Sequence, residues 1–195
     1  MDDLLARWAQ LWGAGMAEVW RSYSAAKDTI HATGRALVAQ TPARPIYAEG
    51  CLRLLHYAPQ TATQRPIPVL CVPSLINRFY VMDLAPERSL VSALLERGLN
   101  VFMLDWGTAT SADRSRSLDE YITGLLGRCV EVVRREAGAD AVALLGYCMG
   151  GMMAAAYTVL RPHEVAALVN LAGPINYHDD GIYSVWTRPE YLDVD

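Results

Sequence analysis

An α/β architecture, with a mostly parallel sheet and helices on both faces, is predicted by two patterns in this chain. The first is alternation. Short apolar runs at Val69 to Val72, Val101 to Leu104, Ala141 to Leu145 and Ala166 to Leu171 are separated by helix-like segments, and strands that alternate with helices pair in parallel. The second is local. The run ending at Leu145 meets Gly146-Tyr147-Cys148-Met149-Gly150, after which good helix formers continue from Met152 to Tyr157. That reads as strand, sharp turn, helix, with flanking glycines removing side chains that would collide where the turn is tightest.

The elements follow in order. Residues 1–42 read as an N-terminal helical segment, because Leu4, Leu5, Trp8, Leu11, Trp12, Met16, Val19, Trp20 and Tyr23 form one apolar stripe. That face either packs on its own domain or meets a partner subunit or a hydrophobic particle. Thr41-Pro42 breaks the helix and Ala43 to Pro45 reads as a linker, so residues 43–195 form the second domain. Tyr47 to Tyr57 predicts a hairpin turning at Glu49-Gly50. Pro86 to Arg97 predicts a helix with proline in its first turn, closed by Gly98. Ser117, with Glu120 three residues on, predicts a capping box for a helix to about Ala137. Met149 to Leu160 is a helix stopped by Pro162.

Composition excludes several functions. The 195 residues carry a net charge of -4, which offers nucleic acid no electrostatic attraction. Cys51, Cys71, Cys129 and Cys148 lie far apart, with no CxxC pair; neither a metal site nor a disulfide framework is expected, and a reducing cytoplasm fits. The N-terminus has Asp2 and Asp3 and no signal-peptide pattern, and no apolar run is long enough to span a bilayer.

The turn at Cys148 matches the nucleophile elbow of the α/β-hydrolase fold, with cysteine in place of serine. Its place at a helix N-terminus favours thiolate. A buried structural cysteine before a glycine-rich helix start is the competing reading. Acyl transfer through a thiol also needs oxyanion donors and a base. The Met149 backbone N–H follows from the elbow itself, and the Ile76 amide, in the loop Pro73 to Tyr80, is the expected second donor. The base is harder to place, since only His163 and His178 follow Cys148. His163 falls in the turn after the elbow helix, at the wrong end of the sheet. His178 is on the correct edge but where an acidic group belongs. Asp179 and Asp180 read as solvated loop charges, and Asp105 as the residue that orients its own Trp106-Gly107 turn.

Val72-Pro73-Ser74-Leu75-Ile76-Asn77-Arg78, Asp83-Leu84, Pro86-Glu87-Arg88-Ser89-Leu90, Asp105-Trp106-Gly107, Leu118-Asp119-Glu120-Tyr121 and Leu144 to Gly151 together closely resemble the polyhydroxyalkanoate synthases. The short region before Ile46 resembles the class III catalytic subunit. The resemblance implies polymerisation of (R)-3-hydroxyacyl groups from coenzyme A thioesters through an acyl-Cys148 intermediate, with no cofactor beyond the thioester substrate. It further implies a cytoplasmic homodimer with a small helical partner subunit, acting at the surface of a growing polyester granule. Synthases of this kind continue through further strands, a cap, and a strand-end Asp and His. None of these has a counterpart here, so an incomplete α/β-hydrolase fold is expected, inactive or weak alone, with exposed strand edges. A thioesterase or other hydrolase of the same fold, and a non-catalytic granule-associated protein, are the alternatives.

Overall fold

The structure is a computed structural model that describes residues 38–176. The chain divides into units Met1–Val38 and Ala39–Asp195, and the described residues belong almost wholly to the second. The helix expected over residues 1–42 and the loop around His178 therefore lie outside them, save for residues 38–42.

A six-stranded sheet has the order β1-β2-β6-β3-β7-β8. Its strands are β1 (Ala43–Glu49), β2 (Leu52–Tyr57), β3 (Val69–Val72), β6 (Val101–Asp105), β7 (Val142–Tyr147) and β8 (Val165–Leu171). The β1–β2 and β2–β6 pairs are antiparallel, whereas β6, β3, β7 and β8 run parallel. Because side chains alternate along a strand, a central strand must be apolar on both faces. In β3, Leu70 and Val72 join one core cluster and Val69 and Cys71 the other. The first cluster is roofed by a π-helical stretch, Glu120–Leu126, that continues into α2 (Gly127–Ala137), and by α3 (Met149–Leu160). The second is covered by α1 (Leu90–Leu95). Helices thus cover both faces of the sheet, as the alternation implies.

Three local expectations change. Ala43 to Pro45 is the start of β1, with a register shift between Pro45 and Tyr47: an edge strand tolerates proline, whose missing N–H faces away from the ladder. Upstream of it, Thr41 is tied down by Asp83, which accepts its hydroxyl at 2.7 Å and its amide at 3.2 Å. Pro86 lies in no helix. It turns a small hairpin, β4 (Asp83–Ala85) with β5 (Arg88–Ser89), and α1 starts only at Leu90, where the Ser89 hydroxyl accepts the Ser92 N–H. Capping by a serine one turn downstream outcompeted the proline as a helix start. Of the capping box at Ser117, the arm from the Glu120 amide is present at 3.2 Å, while the Glu120 carboxylate takes Arg116.

The β8 strand ends the sheet among the described residues, and most of its side chains are exposed there. Val169 is 50% exposed, Leu171 42%, and Ile175 beyond it 64%. No described helix is long and apolar enough to cross a membrane.

Candidate active site

Cys148 sits between the last residue of β7 and the first of α3, at φ 54 and ψ -126. A side-chain-bearing residue occupies that region only when its surroundings impose it. Here the constraints are visible. The Cys148 amide donates to Leu171 O at 2.9 Å, and the Cys148 carbonyl accepts the Gly151 N–H at 2.8 Å. Close packing does the rest: a Cβ on Gly146 would lie 2.5 Å from Gly150 O, and one on Gly150 would lie 2.1 Å from Val72 O and 2.6 Å from Pro73 O. The two glycines of Gly-Tyr-Cys-Met-Gly are therefore required by backbone against backbone. The same contacts bring the loop leaving β3 up against the elbow.

The four thiols divide into two environments. Burial pushes Cys71 and Cys129 up to about 12, so both stay neutral and inert. Cys51 and Cys148 are partly exposed. Cys51 donates to Trp106 O at 3.3 Å, which leaves Cys148 as the partly exposed thiol on a strand-to-helix turn.

Around it, Met149 opens α3, so its N–H has no acceptor in a preceding turn. The Ile76 N–H donates to Ser74 Oγ at 3.1 Å; that donor is engaged within its own loop. Asp105 is buried and fully used. Its Oδ2 takes Arg53 Nη2 at 2.6 Å, and its Oδ1 accepts the Gly107 N–H at 3.0 Å. It organises the turn after β6, the role its position implied. His163 lies in the single turn Pro162–Glu164 that leads into β8. Since β7 and β8 are parallel, with Val142 opposite Val165 and Tyr147 opposite Leu171, His163 is at the end of the sheet away from Cys148. His178, Asp179 and Asp180 lie outside the described residues.

Sequence reasoning missed the groups that hold the loop after β3. Trp106 Nε1 donates to Pro73 O at 2.8 Å, and Arg78 donates to Gly107 O at 2.9 Å and to Thr108 Oγ1 at 2.7 Å. The available signal was a tryptophan between a strand-end Asp and a glycine: a turn spends so large a side chain only where its N–H has a partner.

A mostly parallel sheet bearing a partly exposed cysteine at a strained strand-to-helix turn defines a class of protein. The chain belongs to the α/β-hydrolase family, whose description its residues 67–188 match. Residues 17–94 match the N-terminus of poly-beta-hydroxybutyrate polymerase, and within the hydrolase fold the chain is a relative of the polyhydroxyalkanoate polymerases. It is 41% identical to the poly(3-hydroxyalkanoate) polymerase subunit PhaC of Haloferax mediterranei, over 90% of this chain and 36% of that protein. To the subunit of the same name from Allochromatium vinosum it is 37% identical, over 79% of this chain and 44% of that protein. The chain thus spans less than half the length of these relatives. Among solved structures, the thioesterase domain from the curacin biosynthetic pathway superposes with a TM-score of 0.52 at 17% identity, covering 75% of this chain and 50% of that one, a likeness of fold.

Proposed function

We propose that this chain carries the nucleophile of a polyhydroxyalkanoate synthase. The Cys148 thiolate attacks the thioester carbon of an (R)-3-hydroxyacyl-CoA, and charge develops on the carbonyl oxygen. The Met149 N–H and an amide of the 74–76 loop, Ile76 in the first instance, stabilise that oxygen, for which the Ile76 N–H leaves Ser74. The carbon–sulfur bond to CoA then breaks, CoA departs as the thiolate and takes its proton from solvent, and the acyl group stays on Cys148. Exchange of one thioester for another is nearly thermoneutral, so the intermediate is loaded without becoming a sink. The hydroxyl of a chain end or a second unit attacks its carbonyl carbon while a base takes the hydroxyl proton; the ester bond forms, and the carbon–sulfur bond to Cys148 breaks to return the thiolate.

The observation that carries this reading is the backbone of Cys148, φ 54 and ψ -126, on a partly exposed thiol. The sequence likeness to the polymerases supports the substrate class, and extends the reading to a cytoplasmic homodimer with a small helical subunit at a polyester surface. The described residues bring no histidine to Cys148. Cys148 of the 195-residue chain is expected to take up the acyl group of the thioester. Incubation with radiolabelled 3-hydroxybutyryl-CoA, followed by intact mass and product separation, tests this. A single adduct absent from Cys148→Ala is the expected result. Steady release of free hydroxy acid would point to a thioesterase, and the lack of any Cys148-dependent adduct would refute the reading.

A further inference from the structure

We infer that Trp106 and Arg78 are positioning residues that clasp the oxyanion loop to the turn after β6; the inference rests on the synthase reading of Cys148. The clasp has two points of attachment, one on either side of the expected donor. On one side the Trp106 indole N–H donates to Pro73 O at 2.8 Å, a buried bond. On the other, Arg78 spans to Gly107 O and Thr108 Oγ1 at 2.9 and 2.7 Å. Between them lie Ser74, Leu75, Ile76 and Asn77, the residues that can offer an amide to the substrate oxygen.

The turn that anchors the clasp is itself rigid. Asp105 accepts the Gly107 N–H while paired to Arg53. Gly107 stands at φ 70, where a Cβ would lie 2.1 Å from Cys51 O. Trp106 is held by the edge of Tyr121, ring centroids 5.7 Å apart at 74°, from the π-helical stretch. Pro73 O is also one of the two carbonyls against Gly150. One carbonyl thus registers the loop both to the elbow and, through Trp106, to the strand-end turn. An oxyanion donor works only where it is already aimed, and a segment whose middle amide is free to change partner needs both ends held for that aim to survive.

Trp106→Phe, Arg78→Ala and Arg78→Lys in the full 195-residue chain test the inference through three readouts. The first is acylation of Cys148 by 3-hydroxybutyryl-CoA. The second is alkylation by iodoacetamide, which needs the thiol but no oxyanion donor. The third is hydrogen exchange at the amides of residues 74–76. Misaimed groups cost about 100-fold in rate, so Trp106→Phe is expected to slow acylation roughly 10- to 100-fold, Arg78→Ala less, and Arg78→Lys to recover part of that loss. Alkylation stays within about twofold, because the elbow is untouched, while exchange at 74–76 accelerates about tenfold. Acylation at the wild-type rate in both Trp106→Phe and Arg78→Ala overturns the clasp, and so does a parallel fall of acylation and alkylation, which would mark general unfolding. If the wild-type chain takes no acyl group, the synthase reading fails and the exchange arm alone decides: unchanged exchange in both variants overturns the clasp.

Discussion

The centre of the sheet and its β8 edge follow opposite rules. At the centre, β3 and β7 are sandwiched between two apolar clusters, and the elbow above them has no slack, with would-be Cβ atoms at 2.1 and 2.5 Å from backbone. At the edge, β8 shows the solvent Leu168, Val169 and Leu171, with no charge along Val165–Leu171. The opposite edge is finished differently: β1 carries a proline, a register shift and ion pairs from Arg44 to Glu136 and from Glu49 to Arg128, the devices that discourage further pairing. The nucleophile is thus built by the rigid part of the sheet, next to a strand that, among the described residues, still offers an unpaired apolar ladder.

Perturbing the centre should cost most. Phe102→Ala empties a fully buried position that also stacks on His56 at 4.1 Å, and urea titration should show a loss of about 3–5 kcal/mol. Gly150→Ala forces a methyl into Val72 O; a loss of about 1–3 kcal/mol, with slower alkylation of Cys148, is expected from the same titration and from mass spectrometry.

Alkaline pH probes the buried centre without mutation. Cys71 and Cys129, pushed to about 12 from 9.0 by burial, are neutral when folded and ionise at lower pH when unfolded. Their contribution is therefore complete below pH 9.0 and is lost as pH rises toward about 12. Stability should fall as pH rises through that window, measurable by urea titration across it. In keeping with this, iodoacetamide at mildly alkaline pH should label Cys51 and Cys148 in the native chain, and Cys71 and Cys129 only after denaturation.

The smallest stability effect belongs to the edge. Val169→Lys, at a position 50% exposed, should alter stability by less than about 0.5 kcal/mol while reducing self-association in light scattering, since a charge on an open strand opposes edge pairing. A large loss of stability instead would show that β8 is packed as tightly as the centre.

Much of this molecule is local and was therefore legible in the chain. The apolar runs became β3, β6, β7 and β8, and Gly-Tyr-Cys-Met-Gly became the elbow, because strand, tight turn and helix start are decided within about ten residues by sterics and backbone bonding. Pro86 misled, since a proline suits a hairpin turn and a helix start equally; Ser89 decided between them. The Trp106–Pro73 and Arg78–Gly107 bonds, the use of Asp105 by Arg53, and the capture of the Ile76 amide by Ser74 required the folded structure. All but the last join residues far apart in the chain. Their partners are chosen by which strands the mixed sheet places side by side, a property of the whole sheet and of no single segment.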